Sequence, residues 1–124
     1  MIDHAQKVRA IEAYVAAFDA GDANAAAALF ADDAIVEDPV GAALVTGIDA
    51  IRAFYSKAMQ TGAKLLLDGP VRGGDRYAAF AFTVLLNFQG GEKKIEVIDT
   101  FAFNDAGKIT QMRAYWAHEN MHGF

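Results

Sequence analysis

The stretch Ile95-Glu96-Val97-Ile98-Asp99-Thr100-Phe101-Ala102-Phe103 most constrains what this chain can become. Alternation with a period of two puts Ile95, Val97, Phe101 and Phe103 on one face of a strand, with Asp99 among them. A carboxyl therefore stands in an apolar wall. Ionised, it would lose its hydration there, so it either meets a partner or its pKa rises until it stays protonated near neutral pH and donates a hydrogen bond. The plainer use of such a group is a buried ion pair or a cap for loose backbone amides, and this strand alone leaves both open.

The remainder of the chain supplies the rest of the wall. From Ala63 onward, glycine-rich turns at Gly73-Gly74, Gly90-Gly91 and Asn104-Asp105-Ala106-Gly107 separate strands over Lys64 to Leu67, Tyr77 to Phe88, Lys93 to Phe103 and Lys108 to Glu119. Phe80, Phe82, Val84, Leu86 and Phe88 share one face of the second; Met112, Ala114, Trp116 and His118 share one face of the last. Three helices come before them. The first runs from Asp3, which with Gln6 forms a capping box, to Ala20, and carries Val8, Ile11, Tyr14, Val15 and Phe18 at helical spacing. The second, capped by Asp22, is expected over Ala23 to Ala31, and the third, with Ile48, Ile51, Phe54 and Tyr55 as its apolar positions, over Ile48 to Gln60. A brief strand, Ala34 to Pro39, lies between them and places Asp38 at its end, on the face of Val36 and opposite Glu37. Helices first and strands afterwards predict an α+β fold with helices on one face of a bent antiparallel sheet. The expected lining of an enclosed apolar cone is Phe54, Phe80 or Phe82, Val97, Phe101, Met112 and Trp116; periodicity alone does not separate such a lining from a solid core.

With 124 residues the chain has room for one domain over positions 1–124. Formal net charge is -5 and the eleven basic residues form no run, which argues against nucleic acid or an anionic membrane surface as partner. No stretch approaches the ~18 apolar residues of a membrane span, and the N-terminus does not read as a signal peptide, so a soluble cytoplasmic protein is expected.

Cysteine is absent, which removes disulfides and thiolate chemistry, and Ser56, the one serine, belongs to no Gly-x-Ser-x-Gly turn. His118 and His122 are four apart, but on a strand and its tail rather than on a helix, so no metal site is expected. The glycine pairs lack the context of a dinucleotide site, and no P-loop is present, so no cofactor is expected either. Two aspartates and a tyrosine on apolar faces remain. Proton transfer next to a carbonyl needs only those: one ionised carboxylate takes the proton while neutral donors hold the enolate oxygen. An open strand end for Asp38 and a mid-wall position for Asp99 would separate their pKa values in the required sense.

Tyr14-Val15-Ala16-Ala17, Gly21-Asp22, Leu29-Phe30-Ala31-Asp32-Asp33-Ala34, Val36-Glu37-Asp38-Pro39-Val40-Gly41, Ile51-Arg52 with Phe54-Tyr55, Ile98-Asp99 and Met112-Arg113-Ala114 together make the chain similar, over nearly its whole length, to the bacterial steroid Δ5-3-ketosteroid isomerases. These have the cone-shaped nuclear-transport-factor-2-like, or SnoaL-like, fold. The resemblance implies that Asp38 is the general base shuttling a proton from C4 to C6 of a ketosteroid, and that Tyr14 and a protonated Asp99 donate to the C3 oxygen of the dienolate, an arrangement known in that family. It further implies that Tyr55 hydrogen-bonds Tyr14, that Phe54, Phe82 and Trp116 line the cavity, and that the protein is a homodimer. Two positions depart from the pattern. Phe30 stands where some members have a tyrosine, so the hydrogen-bond chain behind Tyr14 should end at Tyr55; His118 stands where members carry an acidic residue.

Other readings compete with the isomerase. A cyclase, dehydratase or epoxide hydrolase could use the same fold, although an epoxide hydrolase wants an arginine between its carboxylates and Arg113 should face away from Met112 and Trp116. A non-catalytic module for small hydrophobic molecules would explain the apolar lining but not two carboxyls within it.

Overall fold

The computed structural model describes residues 2–88 and 91–124. The first helix, α1 (His4–Ala20), begins with the capping box expected from its sequence: Gln6 N–H donates to the Asp3 carboxylate and Asp3 N–H to the Gln6 amide oxygen, each at 2.8 Å. It ends on Gly21 in the left-handed conformation, φ 63°. A short helix α2 (Ala23–Ala27) follows. It stops four residues before the expected Ala31, because Leu29 O accepts from Ile109 N and Phe30 pairs with Ile109, committing the chain to strand β1 (Phe30–Glu37). Alanine's helix propensity yields here to pairing with a strand nearly eighty positions away.

The two-residue β2 (Val45–Thr46) and helix α3 (Ile48–Met59) come next, then β3 (Lys64–Leu67), β4 (Arg72–Gly74), β5 (Tyr77–Phe88), β6 (Gly91–Phe103), β7 (Ile109–Tyr115) and β8 (Met121–His122). Strand order is β2-β1-β7-β6-β5-β3, with β4 added to β5 and β8 to β6. The expected antiparallel sheet is mixed, since β1 lies parallel to β7. Gly73-Gly74, expected as a turn, belongs to β4; the chain reverses at Asp75, φ 50°. Gly73 serves a close approach instead, as a Cβ there would stand 2.8 Å from Tyr77 O and 3.3 Å from the Lys7 ammonium. The last expected strand ends early, at Tyr115, and a 3-10 turn over His118–Asn120 leads into β8. The expected Gly90-Gly91 turn and the side chain of Phe88 lie outside the described residues.

The three helices close one face of this curved sheet, making the α+β cone. Along β6 burial alternates without exception from Val97 to Phe103, which leaves Val97, Asp99, Phe101 and Phe103 inside. Tyr14, Phe80, Phe101 and Phe103 pack as edge-on rings at the closed end. Among the described residues no helix is long and apolar enough to cross a membrane.

Candidate active site

A cavity of about 210 Å³ opens between α3 and the inner face of β3, β5 and β6. Tyr14, Asp38, Phe54, Tyr55, Phe82, Val97, Asp99 and Trp116 all line it. Two expected lining residues do not: Phe101 and Met112 are fully buried in the core. The reason is their level in the sheet. Phe101 sits one inward position past Asp99, with its ring centroid 5.3 Å from that of Tyr14, and Met112 is its cross-strand partner, covered on the far side by β1, where Val36 pairs with it. Alternation placed both on the correct face, but toward the closed end. Phe80 is likewise core, stacked 5.4 Å from Phe82, which faces the cavity.

Among the described residues Asp99 is the least satisfied side chain. It is 1% exposed, and among the described residues neither of its carboxyl oxygens has a hydrogen-bond partner. Burial foremost, and then the nearby Asp38 charge, pushes its pKa well above the usual carboxylate range. A protonated Asp99 has an O–H with nothing to donate to among the described residues. Tyr14, 3% exposed, reaches Tyr55 across the helix interface with hydroxyl oxygens 3.0 Å apart. Burial raises both phenols well above the ordinary tyrosine value, so they remain neutral donors at working pH. If Tyr55 supplies the shared hydrogen, that of Tyr14 is free for the cavity. Phe30 packs its ring 5.7 Å from Tyr55 and carries no hydroxyl to continue the chain.

Asp38 differs. It follows the last residue of β1, is half-buried, and accepts a 2.8 Å hydrogen bond from Trp116 Nε1–H on Oδ1. Burial raises its pKa while the indole opposes that rise. Both carboxyls are thus shifted upward, Asp99 well above the usual carboxylate range, which favours Asp99 over Asp38 as the holder of a proton. Glu37, on the opposite face as expected, accepts from Gly41 N–H at 2.9 Å and pairs with Arg113 at 3.3 Å, which fixes the turn after Asp38 from outside the cavity. The histidines do not join a ligand set: His122 Nε2 lies 2.7 Å from Glu96 Oε1, and among the described residues no three metal-binding side chains converge.

The SnoaL-like domain model matches residues 11–112, more than half of the sequence. The chain belongs to the SnoaL-like domain family. A curated relative of this SnoaL-like protein, the steroid Delta-isomerase of Nocardioides simplex, is 42% identical over 113 residues, covering 90% of each chain. A solved structure concerning the epoxide hydrolase/cyclase-like enzyme SalBIII, in pyran ring formation in the polyether salinomycin, matches with a TM-score of 0.89 over 98% of both chains. At 24% identity that likeness shows the fold alone.

Several walls of the SnoaL-like cavity are absent from the expected lining: Phe18, Ala58, Thr61, Ala63, Leu65, Val84, Leu86 and Ile95. Ile95 was recognisable, since it shares the inner face of Val97 and Asp99. Ala58, four residues after Phe54 on one helix, was too. Thr61 and Ala63 follow the end of α3, in a connection with no period to read.

Proposed function

We propose that this chain is a steroid Δ5-3-ketosteroid isomerase, moving a C5–C6 double bond into conjugation with a C3 ketone through a dienolate. The carrying observation is the unpartnered, buried Asp99 carboxyl lining one apolar cavity with Tyr14 and a second carboxyl, Asp38. In this reading the C3 oxygen accepts from Tyr14 and from protonated Asp99. Asp38 removes a C4 proton, the electron pair moves onto that oxygen, and the same proton returns at C6 as the ketone re-forms. Trp116 holds Oδ1 of Asp38 and leaves Oδ2 for the proton. Tyr55 donates to Tyr14, and the reaction needs no metal or organic cofactor. The 42% identity to a steroid Delta-isomerase supports the substrate class.

Epoxide opening is less well served, because Arg113 is exposed on the outer side and paired with Glu37 rather than placed between the carboxyls. A homodimer belongs to the same proposal. Its support is the outer sheet face, where Ile98 and Tyr115 are cross-strand partners 48% and 43% exposed; a single monomeric species in sedimentation at micromolar concentration would count against it. The enzymatic reading is tested by incubating the protein with 5-androstene-3,17-dione and following ultraviolet absorbance of the conjugated ketone. Conversion well above the buffer rate is expected; none at any pH from 5 to 9 would remove the isomerase and leave a binding module.

A further inference from the structure

We infer that Glu37 is a positioning residue for the base: from the outer side of the sheet its carboxylate fixes the turn that follows Asp38, and so fixes where the free Asp38 oxygen stands in the cavity. This role rests on the isomerase reading, in which Asp38 carries the proton.

A strand holds its residues by a ladder, and Asp38 lies just past the end of one. Strand β1 closes at Glu37, the last position of its parallel register with β7, where it pairs with Arg113. The chain then turns outward, and Val40, Gly41, Ala42, Ala43 and Leu44 are all exposed, so packing does little to place them. Hydrogen bonds do it instead. Val40 N–H donates to Ala114 O on β7 at 2.8 Å, Ala42 N–H closes the turn on Pro39 O at 2.9 Å, and Gly41 N–H donates to Glu37 Oε2 at 2.9 Å. Among the described residues the last of these is the one side-chain bond to the backbone of this turn. Gly41 takes φ 99°, a conformation that residues with a side chain rarely adopt.

Glu37 is itself held. Alternation sends its side chain to the face opposite Asp38, where Arg113 Nε stands 3.3 Å from Oε1, and 17% of the Glu37 side chain remains exposed against 46% for Arg113. An isolated surface ion pair is worth little. Here one oxygen takes the cation and the other is left for the turn. Arg113 through Glu37, Ala114 through its carbonyl and Trp116 through Asp38 Oδ1 thus grip the base segment from the outer face, the strand edge and the cavity. The chemistry makes that grip matter. C4 and C6 are joined through C5 and, with ~1.5 Å bonds, lie roughly 2.5 Å apart, so Asp38 Oδ2 must reach both from one place. Trp116 fixes the other oxygen, about which the carboxyl swings if its backbone moves, and a displacement of about 1 Å costs up to about 10²-fold in rate.

The test compares Glu37→Ala with Glu37→Gln, which keeps an oxygen for Gly41 and gives up the ion pair. With 5-androstene-3,17-dione on the pH plateau of the wild type, Glu37→Ala should lose about 10- to 100-fold in kcat with KM within about twofold, whereas Glu37→Gln should stay within about threefold of wild type. Trp116 is the single tryptophan, so its indole N–H gives one resonance that reports the bond to Asp38 with no substrate present. That resonance should move upfield in Glu37→Ala, as the bond lengthens, and hold its place in Glu37→Gln. Affinity for a phenolic analogue of the intermediate, which reads Tyr14 and Asp99, should change by less than about threefold. A role confined to stability would lower the urea midpoint and leave kcat and the indole resonance of the folded protein where they are. Should Glu37→Ala fail to fold, Glu37→Met, of nearly the same length but without an acceptor, is read in the same way. Failure of both to fold, a kcat within about twofold of wild type, an unmoved indole resonance, or a loss as large in Glu37→Gln would each overturn the positioning role. A wild type inactive on the steroid whose indole resonance still moves in Glu37→Ala would defeat the isomerase reading alone; an active wild type matched by Glu37→Ala would defeat the positioning role alone.

Discussion

The end of β1 and the middle of β6 each bring one aspartate to the same cavity, and the fold treats the two in opposite ways. Asp38 sits where a strand has just ended, half-buried, with an indole N–H on one oxygen. Asp99 sits in mid-strand between Ile98 and Thr100, where the backbone groups belong to the ladders with β5 and β7 and its side chain finds no donor. One residue type is therefore pushed much further toward the neutral acid in mid-strand than at a strand end. The difference teaches that position relative to strand ends can set protonation state without any change in side-chain chemistry.

The largest effect should come from erasing the anion. Asp38→Asn keeps the shape and the place beside Trp116 but accepts no proton, so turnover should fall about 10⁴-fold, the upper range for a positioned general base. Binding of a phenolic analogue of the intermediate should persist, since the donors are intact. Steady-state kinetics showing activity within about tenfold of wild type would remove Asp38 as the base. Erasing the neutral acid should cost less. Asp99→Leu or Tyr14→Phe each removes one of two donors that bond the dienolate far more strongly than the ketone, so kcat should drop by about 10² to 10³ with KM nearly unchanged. A rise in KM at constant kcat would show that these groups only bind the ground state.

Alternation read the walls correctly and their depth poorly. Tyr14, Asp38 and Asp99 reach one cavity because three independent local patterns, a helix face, a strand end and a strand face, each pointed inward. Phe101 and Met112 obey the same period as Val97 yet lie in solid core, because depth depends on how β1 and α1 close over that end, a matter of long-range packing. The parallel pairing of β1 with β7 left no local trace for the same reason. Phe30 and Ala31 looked like the tail of an alanine-rich helix until their partner strand decided otherwise.

The smallest effect concerns stability against pH. The Asp99 pKa is raised in the folded protein, so over the interval from ~3.9 up to that raised value the native state holds a proton that the unfolded chain has released. Unfolding then releases a proton, and the stability contribution, intact below the lower limit, is lost progressively as pH rises through the interval. Urea unfolding at a series of pH values should show this decline, and Asp99→Asn should flatten much of it, leaving the lesser slope due to Asp38. An unchanged profile in Asp99→Asn would place the Asp99 pKa at its unfolded value and dissolve the contrast between the two aspartates.

The two unpartnered oxygens of Asp99 also set a conflict between durability and use. A buried polar group without a hydrogen bond weakens the empty fold by about 1–3 kcal/mol, and a leucine at that position would relieve the loss. The substitution that cripples turnover should therefore raise the melting temperature of the ligand-free protein. Conversely, a bound molecule presenting an oxygen to Asp99 should steady the wild-type protein more than the leucine variant.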